Sequence, residues 1–169
     1  GALSVSFIPV FVENLEISEE KSARPLSHSV FTLLMMASSL LTVLGVLFME
    51  ELLGLLVSGE GFMSVPGKFQ LAVNLGRIMF VYLFFVTTYA YFMAILNALK
   101  YFFLPAMAPA LFNFCFIVSA FTPKNFFAIE GQELAWGVIA GGILQVLLVT
   151  WKLMKVGFLP KLSFHFRVP

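Results

Sequence analysis

The chain has 169 residues, of which 60% are hydrophobic and only 11% charged, with ten basic and nine acidic side chains and a net charge of +1. Its mean hydropathy is +0.99. A soluble domain carries about 25% charged residues to meet water, so this composition excludes a water-soluble globular protein and points to a bilayer as the solvent. The balanced charge offers no basic excess for nucleic acid. All nine acids are glutamate, which removes many carboxylate-based catalytic schemes. The single cysteine, Cys115, lies in an apolar run and reads as a small buried hydrophobe, leaving no disulfide framework and no Cys-based metal site.

Residues 1–12 are apolar but only about half a bilayer long. With no Met and no basic region ahead of them, they are expected to be a truncated helix, and the chain an internal piece of a longer protein. Glu13 to Pro25 is a charged connector carrying Glu13, Glu16, Glu19, Glu20, Lys21 and Arg24. Residues 26–49 carry no formal charge apart from His28 at the edge and form the clearest full span. Ser38, Thr42 and Gly45 give that span a stripe of small residues suited to packing. Glu50 and Glu51 stop it, and Leu52 to Val65 is expected as a short interfacial helix and loop.

Residues 78–98 are the next span, entered through Arg77 and made amphipathic by Tyr82, Tyr89 and Tyr91. Arg77 reads as a cation that snorkels to the interface and anchors the helix end; a place on a substrate path is the alternative. Lys100 marks a tight turn, and residues 101–121 form another span. There Pro105, Pro109 and Asn113 recur every four residues and share one helix face. Pro109 has no N–H to give to the carbonyl of Pro105, so that oxygen is freed and a kink is expected. This face is either a bendable, partly polar cavity wall or a tolerated kink packed on neighbours. A loop with Pro123, Lys124 and Gly131 leads to the last span, residues 134–153, where Gly137 and Gly141 form a GxxxG that lets another helix approach. Gln145 continues that face as a cavity-lining candidate. Residues 154–169 are expected as a basic cytoplasmic connector.

Lys and Arg concentrate in cytoplasmic loops. Alternating loops place Lys21, Arg24, Lys100, Lys152, Lys155, Lys161 and Arg167 on one side, and Lys68, Arg77 and Lys124 on the other. The first side is therefore assigned to the cytoplasm. His28 and His165 are far apart, with no acid at metal-ligand spacing, and no nucleophile motif lies within a span. No enzyme activity, cofactor or metal is expected.

Five blocks carry a resemblance. The stretch GALSVSFIPVF from Gly1 to Phe11 resembles the G-A-x-S-x-A-F-V-P-x-F in the second helix of the MurJ (MviN) lipid II flippase family. RIMFVYL from Arg77 resembles that family's R-I-M-F-P-Y-L at the start of its fourth helix, and AILNA at Ala94 to Ala98 resembles G-I-L-N-A. PAMAPALFN from Pro105 to Asn113 is similar to P-A-x-x-P-x-L-L-N, and AWGVIAGGILQ from Ala135 to Gln145 to A-x-G-V-x-x-G-G-x-L-Q. The blocks keep the family's order and cover nearly the whole chain.

The resemblance implies an all-α, polytopic transmembrane bundle. This piece would run from the late second helix to just past the sixth, within the amino-terminal lobe of a MATE-like transporter of the multidrug/oligosaccharidyl-lipid/polysaccharide exporter superfamily. It implies transport of lipid II, or a similar undecaprenyl-diphosphate-linked precursor, across the bacterial inner membrane by alternating access. The implied partners are that lipid, the missing helices of the same transporter and membrane lipids, with no nucleic acid. The family's diphosphate-engaging cations lie in segments absent from this piece. Ser4 and Phe7 fall on the helix that lines the family's central cavity, and Asn97 falls at the cytoplasmic turn where a gate could sit. Pro9 joins Pro105 and Pro109 as a kink candidate. Val81 stands where the family has proline, so a straighter helix is expected there. A membrane scaffold that packs through Gly137 and Gly141, or a sister transporter of another lipid-linked oligosaccharide or drug, is the alternative, since fold does not fix substrate.

Overall fold

The computed structural model describes residues 20–57 and 65–163. Among the described residues there are six α-helices and no strand: α1 Glu20–Leu47, α2 Met49–Leu56, α3 Lys68–Phe80, α4 Tyr82–Ala98, α5 Phe103–Ala120 and α6 Gln132–Val156, with a 3-10 turn at Lys124–Phe126 between the last two. Four stretches are long and apolar enough to cross a membrane: Pro25–Leu47, Lys68–Ala98, Phe103–Ala120 and Gln132–Val156. The protein is a multi-pass membrane protein with an all-α fold.

Helix boundaries run beyond the apolar windows. The helix leading into the second stretch starts at Lys68 rather than at 78, giving 31 residues in line, about 46 Å at 1.5 Å per residue. That exceeds a hydrocarbon core of about 30 Å, so the extra turns need a polar side, and Gln70 and Asn74 supply one by pairing at 3.5 Å across a single turn. Val73, between them, is fully buried. Likewise α1 begins at Glu20, inside the expected connector.

Val81, between α3 and α4, keeps right-handed helical dihedrals at φ −60° and ψ −26°. The helical ladder is interrupted there without a proline, and the N–H of Val81 reaches back only three residues, to the carbonyl of Ile78 at 3.3 Å. The residues on either side explain the break. The ring of Phe80 sits where a side chain on Gly45 of α1 would be, while a Cβ built on Gly142 of α6 would lie 2.7 Å from the ring of Tyr82. Two successive aromatic rings are thus seated on two different helices, and the backbone between them tightens into a 3-10 turn.

Helix α6 is the hub and packs against α3, α4 and α5, while α1 closes the other side of α4. A Cβ on Gly141 would lie 3.2 Å from both the Cα and the carbonyl oxygen of Phe112, and one on Gly137 would collide with Ser119. At Gly141 it is the α5 backbone that crowds the missing side-chain volume, and at Gly137 the Ser119 side chain. The apolar core lies toward the opposite end, where Tyr91, Ile95 and Leu96 of α4 meet Val149 and Leu153 of α6 with no exposed surface. Outward positions are as apolar as inward ones: Leu33, Leu40, Leu47, Phe114 and Ile117 are all more than half exposed. In water such a surface would aggregate; in hydrocarbon it is already in its solvent.

Because backbone cannot yield as a side-chain tip can, Gly141→Leu should force α5 off α6 at a cost of about 1–3 kcal/mol. Nothing lies within 4 Å of a Cβ on Gly54 of α2, so Gly54→Ala should leave stability equal or slightly higher. Thermal unfolding of the two variants in detergent checks the pair.

Candidate functional site

Three tyrosines of α4 each cross to a different neighbouring helix. Tyr89 donates to the carbonyl oxygen of Pro105 on α5 at 2.8 Å. That is the oxygen Pro109 leaves without an intrahelical donor. Tyr91 donates to the carbonyl of Ser27 on α1 at 2.7 Å, and Tyr82 to Oε1 of Gln145 on α6 at 3.3 Å. Thr88 returns to its own helix, donating to the carbonyl of Phe84 at 2.8 Å. One helix therefore ties three others to itself through phenol groups, which carry apolar rings with a single polar tip.

The residues singled out from the sequence are dispersed. Ser4, Phe7 and Pro9 lie outside the described residues, as do His165 and Arg167. Gln145 is buried and spoken for by Tyr82. Asn97 is half-buried in the last turn of α4, about 22 Å along the helix from Tyr82, so it does not meet Gln145. On α5, Pro105 is buried while Pro109 and Asn113 are exposed; their shared face turns from α4 outward along the helix. Gly137 and Gly141 are buried against α5. Cys115 is half-buried.

Arg77 lies at the end of α3. Its Nη2 is 4.0 Å from Oε2 of Glu50, with the two side chains 39% and 57% exposed, so the pair contributes little to stability. The same guanidinium rims a cavity of about 290 Å³ formed with Ile78, Val81, Trp136 and Ile139, at the break between α3 and α4.

The opposite ends of the helices carry a second polar region. The N–H of Tyr101 bonds the carbonyl of Leu96 at 2.8 Å and that of Lys100 bonds Asn97 at 3.0 Å, the paired bonds of a Schellman end. Lys100 occupies the left-handed position, at φ 64°, which is normally glycine's. Nζ of Lys152 lies 4.0 Å above the ring of Tyr101, and Lys100, Lys152, Tyr101 and Phe102 frame a cavity of about 480 Å³. The sequence flagged the freed Pro105 carbonyl but not its partner. The signal was a phenol-bearing span directly preceding a proline-bearing one.

This arrangement defines an integral membrane helical bundle whose interior polar groups join helices and whose cations sit at helix ends. Residues 1–169 match the family described as lipid II flippase MurJ. A probable lipid II flippase MurJ from Bdellovibrio bacteriovorus is 44% identical over 166 residues, covering 96% of this chain and 31% of that protein. Lipid II flippase MurJ from Burkholderia cenocepacia is 33% identical over 165 residues, covering 98% of this chain and 32% of that protein. A probable lipid II flippase MurJ from Buchnera aphidicola is also 33% identical over 165 residues. The chain belongs to the lipid II flippase MurJ family, and it spans 31–32% of the length of these relatives.

The Tyr89 bond makes a quantitative prediction. Tyr89→Phe leaves the Pro105 carbonyl unsatisfied and should cost about 1 kcal/mol. In a Pro109→Ala background the restored N–H supplies the intrahelical donor, so the same change should cost less than half as much. A double-mutant cycle on thermal unfolding in detergent measures the difference.

Proposed function

We propose that this chain forms part of the amino-terminal lobe of a lipid II flippase. The whole protein moves an undecaprenyl-diphosphate-linked peptidoglycan precursor across the bacterial inner membrane by rocking two lobes about a central cavity. The observation that carries this reading is the family match over all 169 residues. The geometry supports the lobe role: α4 is tied to α1, α5 and α6 by hydroxyl bonds, and α6 touches α5 backbone at Gly141. Helices joined in this way move as one body. Ser4 and Phe7 are proposed to face the cavity, Asn97 to sit beside the cytoplasmic gate, and Arg77 to anchor a helix end. The substrate is recognised through groups beyond this chain.

A chimera tests the proposal. The corresponding segment of the Bdellovibrio bacteriovorus relative is exchanged for this chain, and the product is expressed in a strain depleted of its own lipid II flippase. Growth should be restored, whereas residues 1–169 alone should not restore it. A chimera that reaches the membrane in normal amount and fails to rescue moves the reading to a sister transporter of another lipid-linked substrate.

Orientation is testable separately. With Cys115 replaced by alanine, Lys124→Cys should react with a membrane-impermeant maleimide in spheroplasts. Lys100→Cys should react only after lysis. The reverse pattern would invert the topology drawn from the lysine and arginine distribution.

A further inference from the structure

Glu133 stands in the first turn of α6 and is 7% exposed. From the sequence it belongs to a loop, where a glutamate would be solvated. Instead its side chain lines a cavity of about 300 Å³ between the ends of α5 and α6, walled by Phe114, Phe127 and Trp136 with Ser119 and Thr122. Among the described residues the carboxylate has no hydrogen-bond or ion-pair partner. Lys124, the cation of the adjoining loop, pairs with Glu130 at 3.6 Å instead, and Ser119 gives its proton to the carbonyl of Phe116 at 2.7 Å. Glu133 stands at the amino-terminal end of α6, where the helix favours a negative charge.

A buried carboxylate among aromatic faces is the chemistry that receives an organic ammonium group: the charge pairs with the carboxylate, and the C–H and N–H edges lie on the rings. The wall suggests the source of that group. Trp136 of the cavity wall is 49% exposed, and tryptophan is a residue of the lipid–water boundary; Phe121 and Phe126 in the adjoining loop are 83% and 78% exposed. A lipid whose acyl chains lie along the outer face of α5 would carry its headgroup to the height of this cavity.

We propose that the Glu133 cavity binds the ammonium headgroup of an ethanolamine phospholipid. Glu133 is the counter-ion and Trp136 and Phe127 form the walls. The proposal stands whether or not the transported substrate is lipid II.

Native mass spectrometry of the detergent-purified full-length protein tests this. It is titrated in parallel with phosphatidylethanolamine, phosphatidylglycerol and free ethanolamine. The expected result is one more tightly retained phosphatidylethanolamine per protein than phosphatidylglycerol. That excess should be weakened tenfold or more in Glu133→Gln, which keeps the side chain's shape, and weakened in Trp136→Leu. Each variant's unfolding temperature is measured alongside, so that loss of fold is not read as loss of binding. Equal retention of the two lipids overturns the proposal, as does an unchanged Glu133→Gln. Displacement of the bound lipid by free ethanolamine at equal concentration would assign the cavity to a soluble amine instead.

Discussion

Hydrocarbon offers no hydrogen bonds, so a backbone carbonyl released inside a membrane helix must find a donor within the protein. In α5 that oxygen belongs to Pro105, and its donor is the hydroxyl of Tyr89 on α4. The consequence extends beyond one bond. Helices α4 and α5 have little direct packing between them, and both lie on α6. The phenol of Tyr89 is therefore a polar link between two helices that otherwise share a neighbour, a short turn and the ring contact of Tyr82 with Phe112 at 5.2 Å. A proline that in water would merely kink a helix here fixes which side chain the preceding span must present, and at what height.

That height is set by the contacts with α6. Gly141 admits the backbone of Phe112, and Gly142, one residue on and facing elsewhere, admits Tyr82 and Phe85. Adjacent glycines thus seat two different helices on one hub, each at a defined level. The same logic produces the break at Val81, where Phe80 is seated on α1 and Tyr82 on α6. The bundle is held in register by absent side chains as much as by present ones, which suits a solvent that gives apolar surfaces no reason to prefer each other.

Hydropathy alone was enough to read the spans, because roughly twenty uncharged residues admit few other structures. It placed the start of the second full stretch too late, since the first turns from Lys68 are polar on one face and escape a composition window. The release of the Pro105 carbonyl follows from covalent chemistry and was legible; the identity of its donor depends on which α4 face turns toward α5, and that is a tertiary fact. The interruption at Val81 was invisible because the habitual cause, proline, is missing and packing supplies another. Glu133 fell outside the span drawn at 134–153 for a related reason. A charge at the edge of an apolar run resembles a loop residue, and that it lines one cavity with Phe114 and Phe127 is a tertiary fact.

Two helices end in the same hydrogen-bonded geometry on the side assigned to the cytoplasm. After α6 the left-handed position is Gly157, at φ 72°, with Phe158 bonding back to Leu153 at 3.0 Å. After α4 the equivalent position is Lys100. A lysine in that conformation is strained by about 1 kcal/mol relative to glycine, and glycine would make the sharper turn without objection. Glycine, however, carries no charge, and Lys100 is the only cation between the two spans that this turn joins. If it were replaced, the hairpin would close more easily but would lose its mark of sidedness during insertion. At this turn backbone geometry favours glycine while the charge rule for membrane insertion favours a cation, and the residue present is lysine.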